Sequence, residues 1–158
     1  MTDQDVSGLP PLRADLVIEY PFIRTTGPVV GAFLTGLREG VLVGIRRADG
    51  TVMVPPAEYD PVTSEPLNEV VEVSSTGSIV SWTWVDPPRP GSPWETPHGL
   101  ALVLLDGADT PMLHGVLVDS PGEMATGLRV EAVWNAERVG HITDLAGFAP
   151  VADAAVEG

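Results

Sequence analysis

The chain contains no cysteine, so neither a disulfide nor a thiolate metal site is open to it. It contains no lysine either. Its 8 basic residues are all arginines, set against 22 acidic ones, for a net charge of -14. A surface of that sign repels DNA and RNA, which argues against a nucleic-acid binder. Arginine still grips phosphate bidentately, so a small phosphorylated ligand stays open at a few placed arginines. Histidine is scarce: His98, His114 and His141 stand far apart, and no two have metal-ligand spacing. No apolar run approaches the ~20 residues that cross a bilayer, and residues 1–5 lack the basic start of a signal peptide. The expectation is a cytoplasmic protein with no membrane partner. A serine nucleophile elbow, a glycine-rich phosphate loop and a zinc-protease signature are all missing, and no catalytic residue is assigned.

What is present is a 158-residue chain with 44% hydrophobic and 19% charged residues, enough for one domain with a real core and a small appendage. Residues 1–27 mix acids, Ser, Gly and Pro around an apolar run at 16–22, and are predicted as an extended arm. An apolar arm needs cover, from the domain itself or from another subunit. Pro28 opens a helical pattern carried by Val29, Val30, Phe33, Leu34 and Leu37 and stopped by Gly40, which predicts a helix over 28–40. Residues 41–68 are organised around 44–63. There two turn-like corners, 46–50 and 59–63, are joined by apolar residues 52–54 and the stiff Pro55-Pro56 pair. Asp49-Gly50 is a strong hairpin signal.

From Glu69 the pattern turns to strands, at 70–73, 78–85, 100–105, 111–118 and 128–134, each bounded by turn residues. Five such strands predict a small closed barrel over 69–150, for which the OB-fold is the natural candidate. The proline-rich stretch 86–97 is predicted as an ordered, irregular loop over that barrel, with 139–145 pairing along the barrel's end. Residues 151–158 are predicted to be a mobile tail.

Trp82 and Trp84 alternate with Thr83 and share a face, as barrel filling or as a stacking platform. His114 lies in a predicted strand and is expected to be a satisfied structural histidine. Asp106 and Asp109 bracket a turn, as turn residues or as paired carboxylates. Four residues are candidates for ligand or interface contact. Arg24 near the arm and Arg89 in the proline loop suit phosphate. Trp94 is the exposed-looking aromatic for a partner subunit, and His98 stands at the mouth of the loop. A stand-alone enzyme would need His98 with Asp106 or Asp109 as its acid/base pair.

Residues 33–40 (Phe-Leu-Thr-Gly-Leu-Arg-Glu-Gly), 44–63, 77–83 (Gly-Ser-Ile-Val-Ser-Trp-Thr), 102–107 (Leu-Val-Leu-Leu-Asp-Gly) and 148–150 (Phe-Ala-Pro) follow one another in a specific order. That order resembles the acyl-CoA-associated OB-fold family, in which a helix, a rubredoxin-like zinc ribbon and a C-terminal OB barrel succeed each other. The resemblance covers roughly residues 28–150. In the family, two Cys-x-x-Cys knuckles are joined through a Pro-Pro pair. The four matching positions here are Arg46, Asp49, Asp60 and Thr63, with Gly50 and Pro61 kept. These are not thiolates, so no structural zinc is expected; Asp49 and Asp60 are expected to pair with Arg46 or Arg47 instead. The implied fold is mainly β: an N-terminal helix, degenerate metal-free zinc-ribbon-like hairpins, then a five-stranded OB-fold barrel.

The resemblance also implies a function, that of a non-catalytic accessory subunit. Its partner would be a thiolase-like (lipid-transfer-protein-like) aldolase acting on acyl-CoA thioesters, as in steroid side-chain degradation. The two would form a hetero-oligomer. The chain would bind no cofactor directly, and would help shape the acyl-CoA channel of the complex. The alternatives are a stand-alone acyl-CoA hydratase or thioesterase, or an OB-fold nucleic-acid binder.

Overall fold

A computed structural model describes residues 25–151; Arg24, the remainder of the expected arm over 1–24, and 152–158 lie outside the described residues. Helix α1, Pro28–Glu39, starts and stops where the sequence places it. Proline occupies its first turn, and Gly40 closes it in the left-handed conformation (φ 78, ψ 30). It buries Val29, Phe33, Gly36 and Leu37, one stripe at helical spacing. Gly36 is required by close approach, because a Cβ there would come within 2.7 Å of the Val41 carbonyl oxygen. Gly27 offers the helix no side-chain cap; the Glu58 carboxylate supplies it from another loop, accepting from Val29 N (3.0 Å) and Val30 N (3.1 Å).

Strands β1 (Leu42–Arg46), β2 (Val52–Met53) and β3 (Glu69–Val73) form an antiparallel sheet in the order β2-β1-β3. The β1–β2 hairpin turns at Gly50, with φ 87, as the Asp49-Gly50 pair predicts. β3 corrects the expected strand roster. Residues 70–73, expected as the first barrel strand, pair with β1 instead, with Leu42 opposite Val73 and Arg46 opposite Glu69. β propensity marks a strand without naming its partner, and here a turn at Ser74 and Ser75 separates β3 from the barrel.

The barrel consists of β4 (Thr76–Val85), β5 (His98–Leu105), β6 (Met112–Val116), β7 (Arg129–Trp134) and β8 (Leu145–Pro150), closed in the order β4-β5-β6-β8-β7. It is five-stranded as predicted, with β8 taking the place expected for 70–73. The expected pairing of 139–145 along the barrel end holds only for Leu145, which lies opposite Trp134. Residues before it form a loop ending in a 3-10 turn, Ile142–Asp144. The buried Asp144 carboxylate accepts from the N–H groups of Val139 (3.0 Å), Gly140 (2.6 Å) and His141 (3.1 Å), which holds the segment out of the sheet.

Ile79, Val103, Leu105, Met112, Val116, Val130, Leu145 and Phe148 fill the barrel. Leu37, Leu42, Val52 and Val54 join them in one continuous apolar cluster. Hydrogen bonds fasten the small sheet to the barrel: Asp109 N donates to Val52 O (2.8 Å) and Val52 N to Asp109 Oδ2 (2.7 Å). Thr110 Oγ1 likewise accepts from Val54 N (2.8 Å) and donates to Val54 O (3.0 Å). One closure is weak, since β6 pairs with the parallel β8 only at Val116 opposite Phe148.

Candidate functional site

The two corners expected to replace a zinc site do meet. Arg47 sits between them: its Nε donates to Asp60 Oδ2 (2.8 Å), its Nη2 to Asp60 Oδ1 (3.3 Å), and its Nη1 lies 3.2 Å from Asp49 Oδ2. Asp60 is 5% exposed, and its Oδ1 also accepts from Val62 N (2.8 Å) and Thr63 N (3.0 Å). The Arg47 guanidinium first, and those backbone N–H groups second, hold the Asp60 carboxyl far below the usual carboxylate range. Thr51, through its hydroxyl and N–H, lowers Asp49. Arg46 takes no part in the pairing of the two aspartates. It donates to Glu69 across the β1–β3 ladder (2.8 Å) and to Gly50 O (3.2 Å). The expected ion pair is therefore made by Arg47 alone, because alternation along a strand sends Arg46 and Arg47 to opposite sides. Zinc does not fit this residue set: a guanidinium stands between the two carboxylates, and Thr63 adds only a backbone N–H to Asp60 and a hydroxyl 3.4 Å from Glu65 N.

The proline loop brings three of the four ligand or interface candidates together. Arg89, Trp94 and His98 line one cleft of about 810 Å³ with Trp84, while Arg24 lies outside the described residues. Two expectations about this loop need correcting. His98 is buried, not presented at the mouth; its Nδ1 lies 2.8 Å from Thr96 O, so it donates there, and its ring is 4.9 Å from Trp94. Trp94 is half-buried against its own barrel. It rests on the bare backbone of Gly115, where any Cβ would collide with its ring, and meets His114 edge-on at 5.7 Å. A glycine in the strand makes the seat, and the prolines carry the tryptophan onto it.

Trp94 also borders a second cavity, of about 570 Å³, with Leu113, His114, Leu117 and Ile142. His114 departs from the satisfied histidine expected. It is buried between Trp94 and Phe148, and its Nδ1 has no hydrogen-bond partner among the described residues. Burial pushes its pKa below the ordinary value, with backbone groups of Gly115 and Ile142 offsetting part of the effect. The β6 pleat places this ring inward whatever its polarity.

No acid/base pair is assembled from His98 with Asp106 or Asp109. His98 begins β5 and Asp106 follows its other end, about 25 Å away at the usual strand rise. Asp106 pairs with Arg129 (2.8 Å) and accepts from Thr76 (2.9 Å), which lowers it to about 2. Asp109 is the fastener to Val52. Trp82 and Trp84 pack against the apolar cluster, as the barrel-filling reading holds. The structural roles of three acids, Glu58, Asp109 and Asp144, are missing from the sequence reading, which takes Asp109 only as a turn residue, a paired carboxylate or half of an acid/base pair. Asp144 had a local signal, an acid at the third position of a turn opened by His141. Glu58 and Asp109 had none, since their partners lie 28 to 57 positions away.

Comparison with known proteins agrees with this architecture. The family model for the C-terminal OB-fold domain of ChsH2 matches residues 70–135. A DUF35 domain-containing scaffold protein of Pyrococcus furiosus is 30% identical over 93 residues, 58% of this chain and 67% of that protein. Among solved structures, a chain of the Ltp2-ChsH2(DUF35) aldolase superimposes with a TM-score of 0.58 at 23% identity, over 80% of this chain and 98% of its own. A DUF35-family protein of unknown function from Sulfolobus solfataricus gives 0.53 at 20% identity, over 68% and 79%. The chain belongs to the DUF35 family and carries the OB-fold domain that the family shares with ChsH2.

Proposed function

We propose that this chain is a non-catalytic OB-fold scaffold subunit of an aldolase complex, whose partner is a thiolase-like, lipid-transfer-protein-like enzyme acting on acyl-CoA thioesters in steroid side-chain degradation. The observation that carries the reading is its likeness, over nearly the whole of that chain, to a chain of the Ltp2-ChsH2(DUF35) aldolase. The placement of the ionisable groups supports it. Asp49, Asp60, Asp106, Asp109 and Asp144 are all engaged in structural bonds, and the only histidine in the proline-loop cleft donates to a backbone carbonyl. That leaves Arg89, exposed at the cleft rim, as the group suited to a CoA phosphate at the mouth of a channel shared with the enzyme. The fold would then act by shape: a rigid surface completes a site whose chemistry the partner performs.

The test is co-expression with a thiolase-like aldolase encoded beside it. The two should co-purify, and retro-aldol cleavage of the hydroxyacyl-CoA should require both. Failure to co-purify, with an enzyme fully active alone, would overturn the proposal. Within the complex, Arg89→Ala should raise KM for the acyl-CoA several-fold at unchanged kcat; an unchanged KM removes Arg89 from the channel.

A further inference from the structure

The cleft under the proline loop and the cavity beside Trp94 differ in chemistry and share a wall. Arg89, Asp86, Thr83 and Ser92 make the cleft polar on one side of Trp84. Leu113, Leu117, Ile142 and Leu145 make the cavity apolar, with Asn135 and Thr143 as its polar groups besides His114. Three of those apolar groups stand partly in the open, Leu113 at 59% exposed, Leu117 at 40% and Ile142 at 39%. A bound hydrocarbon would cover them, and a volume near 570 Å³ is ordinary for a small-molecule site. Trp94 and Leu100 line both spaces. Leu100 is fixed in β5 between β4 and β6, so Trp94 is the part of the shared wall that a loop carries.

Shape, more than bonding, keeps Trp94 in that wall. Its ring lies against Gly115, 2.3 Å from where a Cβ would stand, and packs on His98 at 4.9 Å and His114 at 5.7 Å. The loop holds the residue by its backbone, whose N–H donates to Ser92 Oγ (3.2 Å). The indole itself is held by packing among the described residues. Three positions earlier Gly91 adopts φ 82 in open space, where the chain can turn without meeting a neighbour. A ring seated by contact alone, on a loop with a glycine at its bend, can be pushed aside by a ligand that repays the lost contacts.

We propose that Trp94 is a gate between the two spaces. The acyl group of a thioester whose CoA end lies at Arg89 displaces the indole from Gly115 and lies along Leu113, Leu117 and Ile142. The cleft by itself would take CoA whatever it carries; the cavity behind the gate adds a preference for long apolar acyl groups. This rests on the acyl-CoA reading of the cleft, but its test needs no partner enzyme.

Calorimetry on the full chain with free CoA, butyryl-CoA, hexanoyl-CoA and octanoyl-CoA supplies that test. Affinity should rise several-fold from butyryl-CoA to octanoyl-CoA, as each further methylene leaves water. Leu113→Asp, at an exposed position that tolerates a charge, should flatten the rise. Trp94→Ala, which removes the ring that must be displaced, should steepen it. Octanoyl-CoA, but not free CoA, should shift the tryptophan emission, and Trp94→Phe should abolish the shift. The proposal is overturned if no acyl-CoA binds or if affinity ignores acyl length. A rise that Leu113→Asp leaves intact or Trp94→Ala lowers, or a shift that survives Trp94→Phe, overturns it as well. Arg89→Ala separates this inference from the reading it rests on, since it should weaken free CoA and every acyl-CoA by the same factor. If Arg89→Ala changes no affinity while Leu113→Asp still flattens the rise, the acyl cavity and its gate stand and only Arg89 loses its phosphate.

Discussion

Asp60 and Asp106 show how placement decides the behaviour of a carboxylate. Each is held below the ordinary carboxyl range by an arginine, Arg47 for Asp60 and Arg129 for Asp106, the latter pair about half exposed. The unfolded chain keeps an Asp pKa near ~3.9, so below that value it takes up protons that the folded chain refuses. The stability these groups contribute is fully present above about pH 4 and is lost as pH falls through their folded values, about 2 for Asp106. Urea denaturation across pH 5 to 2 should therefore show a steadily falling midpoint. Arg129→Met should flatten the part of that slope due to Asp106 and cost little at pH 7, where an exposed pair is screened. A slope that Arg129→Met leaves unchanged would remove Asp106 from the account.

Among the elements, α1 depends most on a group outside itself. Its last turn is closed locally by Gly40, but its first two free N–H groups point at Glu58, 28 and 29 positions away. Removing a side-chain cap costs about 1 kcal/mol. Glu58→Ala should destabilise the protein by about that amount in urea titration, and Glu58→Gln, which keeps an acceptor oxygen, by clearly less. Equal losses for the two would mean that the charge, and not the hydrogen bond, holds the helix start. The small sheet makes a similar point. Its hairpin and its proline connector are local, whereas its attachment to the barrel runs through Asp109 and Thr110.

Taken whole, helix, small sheet and barrel share one apolar cluster, and among the described residues no helix is long and apolar enough to cross a membrane. A shared core with hydrogen-bonded fasteners is expected to unfold as one unit. Tryptophan fluorescence, which reports on Trp82, Trp84, Trp94 and Trp134 in the barrel and its loop, should give the same midpoint as far-UV circular dichroism. Because Arg47 occupies the centre of the knuckles, a chelator should leave that midpoint unchanged, and protein prepared without chelator should carry far less than one zinc per chain. Stoichiometric zinc, or a chelator-induced loss of stability, would refute the ion-pair account of the ribbon.

The sequence by itself determined what is local. Proline at the start and glycine at the end bound α1; Asp49-Gly50 made the hairpin; β-branched runs marked strands; missing cysteines ruled out a thiolate centre; and the order of motifs pointed to the family. Tertiary structure decided what depends on partners distant in the chain. Strand 70–73 went to β1 and not to the barrel, because an edge is chosen by register and burial that no single strand encodes. Arg47, and not Arg46, took both aspartates, because only the fold sets which side of the strand each faces. Trp94 was seated on the bare backbone of Gly115, His98 was buried at the start of β5 beneath the Trp94 ring, and His114 was left buried with a nitrogen unpartnered among the described residues, as the strand's alternation required. Local signals read one segment's conformation. Docking free energy depends on two surfaces at once, and the second surface is not in the segment being read.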